Sequence, residues 1–394
     1  MIRTRRLLAR VGKLLPLLLL AGIALTTLHF AQRLTVGVVE FADDSWFYDV
    51  SSVRVADGKP GELVRSERLY SAPNGIEGWR VIYRSTDRQG NPILASGLVA
   101  MPENRTNDSL PVVSWGHPTT GIAQRCAPST GVDPFDSIEG LRAIVGAGYT
   151  VVAADYSGMG VTGPPSFLIG ESEGRTVLDI TRVLGQLPNT ATKADVITWG
   201  HSQGGHAALF ASQIASSYAP DLSIKGVAVA APATDLGALI KDDIGTTSGV
   251  TIGSYAFYAY NKSYGADLDS ILTTSAQQVL SKTAPLCLFG QNSQLHAITQ
   301  PLIGKYLVND PETTKPWSDI LHENTPTGPP TSVPLFVAQG QKDTLVRPQV
   351  TAAFVQAQQE RGVAVTYLPI PGDGHGMVAL DATPSLVQWL QSLR

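Results

Sequence analysis

The spacing of apolar positions changes several times along the chain, and each change marks an element. Trp79-Arg80-Val81-Ile82-Tyr83-Arg84 and Ile93-Leu94-Ala95-Ser96-Gly97-Leu98-Val99-Ala100 are strand-like runs. Asp87-Arg88-Gln89-Gly90-Asn91-Pro92 between them is turn chemistry, so the pair reads as an antiparallel hairpin. From Pro111 the texture becomes an alternation of strand and helix. A buried strand at 111–116 precedes a helix over 137–148, with Ile138, Leu141, Ile144 and Val145 at helical spacing. A strand at 149–154 follows, then a helix face of Val177, Ile180, Leu184 and Leu187 that Pro188 ends. A strand at 195–199, a helix at 203–217 and a strand at 225–231 continue the series. It resumes late in the chain with a strand at 333–338, a helix at 349–361, a strand at 363–370 and a closing helix at 382–393.

Strands alternating with helices predict the α/β class, with a mostly parallel central sheet and right-handed crossovers. Near-continuous apolar strands such as Val227-Ala228-Val229-Ala230 fit a sheet covered by helices on both faces. Two regions depart from the alternation. Residues 32–110 form an N-terminal extension plus the hairpin, with no firm period over 34–70. Residues 234–332 are rich in Ser, Thr and Gly and carry an aromatic cluster at Tyr255, Phe257, Tyr258, Tyr260 and Tyr264. A mainly helical cap over 234–332, inserted between the core halves 111–233 and 333–394, is the economical explanation.

Residues 1–31 stand apart. Arg3, Arg5, Arg6, Arg10 and Lys13 precede an apolar stretch from Leu14 to Leu28, the order of a secretory signal. No clean Ala-x-Ala cleavage site follows. Because the segment approaches the ~20 residues that span a bilayer, a retained membrane anchor stands beside the cleaved signal. Without residues 1–31 the chain holds 24 basic against 33 acidic residues, a formal charge of −9. That balance argues against nucleic acid or anionic headgroups as partners. The two cysteines, Cys126 and Cys287, favour a disulfide in an exported chain, with two buried thiols as the alternative. No histidine, cysteine or acid spacing suits a metal, and nothing in the sequence implies a cofactor or a protein partner.

The chemistry centres on Gly200-His201-Ser202-Gln203-Gly204, which joins an apolar strand to an Ala- and Leu-rich helix. In that context the pentapeptide is a nucleophile elbow: a sharp turn that raises Ser202 above the sheet and admits only small neighbours. A serine hydroxyl needs an imidazole to take its proton and a carboxylate to fix the imidazole tautomer. Loops at the carboxyl ends of the late strands carry Asp343 and His375, giving the order Ser202, Asp343, His375. Asp235 is the rival acid, His201 and His206 flank the serine, and Asp373 is badly placed to orient the imidazole. The developing oxyanion needs two N–H donors. Gln203, at the helix start, is the first; Pro118 has no N–H, so Thr119 or Thr120 supplies the second, with Thr119 favoured. The cap aromatics Tyr255, Phe257 and Tyr258 are candidates to line an acyl tunnel or to dock on a membrane or lipid-aggregate surface; the alternative is the cap's own core.

These motifs resemble the secretory lipase family of α/β-hydrolases. The matching segments are Gly116-His117-Pro118-Thr119-Thr120-Gly121, Cys126-Ala127-Pro128-Ser129, Ala154-Asp155-Tyr156-Ser157-Gly158-Met159-Gly160 and Gly170-Glu171-Ser172-Glu173-Gly174-Arg175, then the elbow and the Asp343 and His375 loops. The resemblance implies an exported ester hydrolase, usually of triacylglycerols, with a cap between the sixth and seventh core strands and Cys126 paired with Cys287. Pro118, where relatives often have Gly, and the Ser157–Gly160 stretch depart from the pattern and leave substrate preference open. An acyltransferase, thioesterase or peptidase with the same triad is the alternative chemistry, and a non-catalytic envelope binding protein the remote one.

Overall fold

The strands are β1 (Leu63–Leu69), β2 (Ile76–Thr86), β3 (Pro92–Pro102), β4 (Val112–Gly116), β5 (Thr150–Ala154), β6 (Asp195–His201), β7 (Ser223–Ala230), β8 (Leu335–Gly340) and β9 (Val365–Ile370). In the computed structural model they form one sheet in the order β1-β2-β3-β5-β4-β6-β7-β8-β9. The structure describes residues 27, 31–41, 45–105, 109–188, 190 and 194–394. All of the signal or anchor segment except residues 27 and 31 therefore lies outside the described residues. Among the described residues no helix is long and apolar enough to cross a membrane.

β1, β2 and β3 form an antiparallel meander whose last strand pairs antiparallel with β5, and every pairing from β5 to β9 is parallel. The strand pleat divides the core in two. Val113, Trp115, Ile197 and Trp199 face one side with Leu141, Ile144 and Leu386. Val112 and Val196 face the other with Val177, Leu178, Ala207 and Ala211. The helices that supply those residues are α1 (Leu141–Gly146), α2 (Gly170–Asp179) and α3 (Gln203–Tyr218) before the cap, and the closing helix Thr383–Ser392 after it. Trp115 and Trp199 are register partners on adjacent parallel strands, both with no exposed surface. Burial of each contributes roughly 2–3 kcal/mol.

The chain order reverses at β4, which has β5 on one side and β6 on the other. Such a reversal opens a crevice at the carboxyl ends of the two strands, and β4 and β6 end side by side there, Gly116 opposite Gly200. Over this end sit the helices inserted between β7 and β8. They are α4 (Leu236–Asp243), α5 (Thr247–Tyr264), α6 (Thr274–Thr283), α7 (Leu288–Thr299) and α8 (Trp317–Glu323). They have a core of their own around Tyr255, Phe257, Tyr260, Tyr306 and Trp317. A disulfide joins Cys126, in the loop after β4, to Cys287 at the start of α7.

Several local expectations change. Residues 34–70, which show no firm period, contain the end of a helix over 31–41 and the edge strand β1. β1 shows no alternation because most of it is half-buried on both faces, and its Glu67 pairs with Arg80 of β2. The helix predicted over 137–148 is split: a 3₁₀ turn at Pro134–Ser137 precedes the shorter α1. The helix predicted through Leu187 begins at Gly170, tightens to 3₁₀ at Ile180–Val183 and ends there: Leu184 is extended, and it and Leu187 pack from the turn that follows.

Candidate active site

Ser202 stands between β6 and α3 with φ 56° and ψ −118°, a conformation costly for a residue with a side chain. Its surroundings over-determine it. The Ser202 N–H donates to the Ala230 carbonyl at 2.9 Å, and the Ser202 carbonyl accepts from His206 N–H at 3.1 Å. The flanking glycines allow the close approach: a Cβ on Gly200 would sit 2.1 Å from the Gly204 carbonyl oxygen, and one on Gly204 only 1.9 Å from that of Gly116. Both glycines are therefore fixed by contact with the neighbouring strand and helix rather than by their own dihedrals.

Asp343 lies three residues beyond β8 and His375 five beyond β9. The fold brings both to Ser202. One oxygen of Asp343 accepts from the N–H groups of Leu345 and Val346 at 2.8 and 2.9 Å, which pins the carboxylate. The other is 2.7 Å from His375 Nδ1, and His375 Nε2 is 2.9 Å from Ser202 Oγ. With Nδ1–H donated to the carboxylate, Nε2 is left to accept the serine proton. The rival acid is occupied elsewhere: Asp235 caps α4, its side chain accepting from Ala238 N–H at 2.9 Å.

Gln203 and Thr119 line the same cavity as Ser202 and His375. As the first residue of α3, Gln203 has a backbone N–H outside the helical ladder, free for a ligand anion. The loop bearing Thr119 is stiffened from below. His117 is buried, its ring stacks on Tyr156 at 4.2 Å, and its Nδ1 is 2.7 Å from the Pro118 carbonyl. Burial pulls the His117 imidazole down to about 4, so it is neutral at working pH. On the cap side the Thr120 carbonyl accepts from Leu288 N–H at 2.8 Å, beside the disulfide.

The cavity has a volume of about 320 Å³ and a largely apolar wall that includes Phe167, Leu168, Leu236, Ile240, Ile252 and Leu321. Here one expectation is corrected: Tyr255, Phe257 and Tyr258 do not line it. Tyr255 and Phe257 have no exposed surface and face the cap's core, where the Tyr255 hydroxyl donates to the Leu286 carbonyl at 2.8 Å. Tyr258 is half-buried on the edge of that core. The face of α5 that meets the cavity is Gly249, Ile252, Gly253, Ala256 and Tyr260. These recur at three- and four-residue spacing, so the signal was a helical stripe, mostly of small residues, in which Tyr260 is the one member of the aromatic cluster.

The sequence assigned no role to four acidic or imidazole groups around the serine, although His201 flanks it in the chain. Glu139, His201 and Asp243 all line the cavity. Burial pushes Asp243 up to about 7, with the Arg347 guanidinium opposing and Asp242 and Asp343 adding to the rise. Glu173, from the Gly170–Arg175 segment, is fully buried behind Gln203. It accepts from Leu168 N–H at 2.9 Å and Gln203 Nε2 at 2.6 Å, and meets His206 Nδ1 at 3.1 Å. Burial raises its carboxyl above the ordinary range, against the lowering effect of those donors. No local pattern marks these residues, because their partners and the cavity come from distant segments.

A model of the family described as Secretory lipase matches residues 137–393. Lipase A of Moesziomyces aphidis is 25% identical over 363 residues, which cover 83% of this chain and 75% of that protein. Among solved structures, Candida antarctica lipase A in its closed state aligns with a TM-score of 0.72 at 20% identity, over 90% of this chain and 86% of that one. A rice cell wall degrading esterase, LipA from Xanthomonas oryzae, aligns with a TM-score of 0.72 at 18% identity, over 86% of this chain and all of that one. The structural likenesses establish the α/β-hydrolase fold with its inserted helical cap.

Proposed function

The chain belongs to the secretory lipase family, and from that premise we propose that it is an exported serine hydrolase of carboxylic esters, triacylglycerols among them. Ester hydrolysis is the chemistry the family and its named relatives carry. The observation that supports the serine mechanism is the chain of contacts from Asp343 through His375 to Ser202, 2.7 and 2.9 Å long, at the wall of an apolar cavity.

In this reading His375 Nε2 takes the Ser202 proton as Oγ attacks the ester carbonyl. The N–H groups of Gln203 and Thr119 hold the oxyanion, a contribution of about 10²- to 10³-fold in kcat for each donor. Collapse of the tetrahedral intermediate expels the alcohol, which takes the proton from His375 and leaves an acyl group on Ser202. Water activated by His375 then releases the acid. The apolar wall holds the acyl chain, and residues 1–31 direct the chain out of the cytoplasm, as a cleaved signal or a retained anchor.

The test is turnover of p-nitrophenyl esters and triacylglycerols of graded chain length by the purified protein and by Ser202→Ala. Hydrolysis by the wild type and its loss in a folded Ser202→Ala protein are expected. No ester turnover by the wild type, with peptide or thioester turnover in its place, overturns the reading.

A further inference from the structure

The polar exceptions in the cavity wall include one adjacent pair next to the proposed base. Glu139, two residues before α1, is 9% exposed, and His201, the last residue of β6, is 3% exposed. Both line the cavity. Glu139 Oε1 is 2.8 Å from His201 Nδ1, whereas Glu139 Oε2 and His201 Nε2 have no hydrogen-bond partner. Buried polar atoms are nearly always paired, so two orphans on the wall of one cavity point to a partner that arrives with the ligand. The main chain holds the pair in place: the Trp199 indole N–H donates to the Glu139 carbonyl at 3.2 Å.

The location identifies which part of an ester the pair meets. The His201 ring lies 4.8 Å from the His375 ring, centroid to centroid. His375 must pass its proton to the departing alcohol oxygen, so the alcohol moiety lies on the His375 side of Ser202. The acyl chain has the apolar remainder of the cavity. The atoms themselves identify the chemistry. An ionised Glu139 oxygen only accepts, while His201 Nε2 accepts or donates according to its protonation. A hydroxyl has one proton to give and lone pairs to accept with: it donates to the carboxylate and accepts from an imidazole protonated at Nε2, whereas a neutral Nε2 takes the proton of a second hydroxyl.

We propose that Glu139 and His201 form an alcohol subsite that favours esters whose alcohol part carries a further free hydroxyl, partial esters of a polyol, over esters of plain alkanols. This rests on the ester-hydrolase reading given above. In such a complex the free hydroxyls beside the scissile ester bond meet Glu139 Oε2 and His201 Nε2 and set the leaving oxygen within reach of His375.

The test compares kcat/KM on glycerol monobutyrate, propyl butyrate and butyrylcholine, which share an acyl chain and differ in the alcohol. Wild type, Glu139→Leu, Glu139→Gln and His201→Phe are measured per active site, counted by titration with a phosphonate that reacts with Ser202, so misfolded protein drops out. The wild type is expected to prefer glycerol monobutyrate to propyl butyrate by about tenfold or more, the effect of one hydrogen bond to a charged group. Glu139→Leu and His201→Phe should bring that ratio close to one, with Glu139→Gln between them and the wild type. Turnover of both esters with a ratio indifferent to these changes overturns the hydroxyl subsite and leaves the hydrolase reading standing. A preference for butyrylcholine that Glu139→Leu abolishes overturns it in favour of a cationic alcohol. Turnover of none of the three overturns both.

Discussion

His206 and Glu173 face each other at 3.1 Å, and neither side chain has any exposed surface. The other nitrogen of His206 is 2.8 Å from the carbonyl of Asn324, at the end of α8 in the cap. Two acceptors on one imidazole call for two ring protons, or for a proton on Glu173. Either way the extra proton is held between Glu173 on α2 and His206 on α3, while the imidazole's other N–H reaches the cap.

Glu173→Leu removes that proton's partner and should destabilise the fold by about 3–5 kcal/mol, as for breaking a buried pair from one side. Glu173→Gln should cost much less. Its amide can donate to His206 Nδ1 while its oxygen keeps Leu168 and Gln203, and a neutral His206 still donates to Asn324. Urea unfolding of the two variants checks the order.

Asp343→Asn should lower kcat by about 10⁴ with KM little changed, because an amide facing His375 Nδ1 favours the tautomer that cannot accept the serine proton. Its bonds from Leu345 and Val346 can survive in the amide, so circular dichroism should report an intact fold.

Gly253 lies on the cavity face of α5, where an added Cβ would first meet Ile244 Cδ1 at 3.2 Å, the tip of a side chain. Gly253→Val should therefore fold and narrow the cavity, shifting preference toward shorter acyl chains. Its neighbour on the same face, Gly249, has no such latitude: a Cβ there would sit 1.8 Å from the Asp243 carbonyl oxygen. A profile of p-nitrophenyl ester chain lengths checks the shift.

Asp243 titrates at about 7 when folded and near 3.8 when unfolded. Between those values the folded chain holds a proton that the unfolded chain has lost. Its contribution to stability is therefore full below pH 3.8, declines as pH rises through this window, and levels off above 7. Asp243→Asn should flatten that part of the profile, gaining Tm relative to wild type at pH 8 and little at pH 4. Differential scanning calorimetry across the range checks the slope.

The parts of the site tied to chain order were legible in the sequence. Ser202, Asp343 and His375 each follow an apolar strand, and a strand end in a doubly wound sheet has one place to point. Gly200 and Gly204 were legible for the same reason, since backbone contact leaves no alternative to glycine. What stayed hidden depends on contacts between distant segments. Glu139 meets His201 across 62 residues and Glu173 meets His206 across 33, and neither spacing follows a period. The cap misled in another way. Tyr255 and Phe257 attract attention by size, yet size is what a helical cap needs for its own core, and α5 meets the cavity with Gly249, Ile252, Gly253 and Ala256, Tyr260 alone of the aromatic cluster joining them. Strand β1 escaped because Arg65, Glu67 and Arg68 carry no alternation on an edge half-buried along both faces.

The Cys126–Cys287 bridge spans 161 residues and closes a covalent ring through β5, β6, β7 and the first three cap helices. Ser202 lies inside the ring; Asp343 and His375 lie beyond it, on the strand of chain that leaves from Cys287. A single protease cut anywhere between residues 127 and 286 opens the ring without dividing the molecule. Nucleophile, acid and base remain parts of one covalent body. A nicked enzyme of this kind would run as one species until a reductant is added and as two afterwards, and its lifetime among proteases is set by the second cut rather than the first.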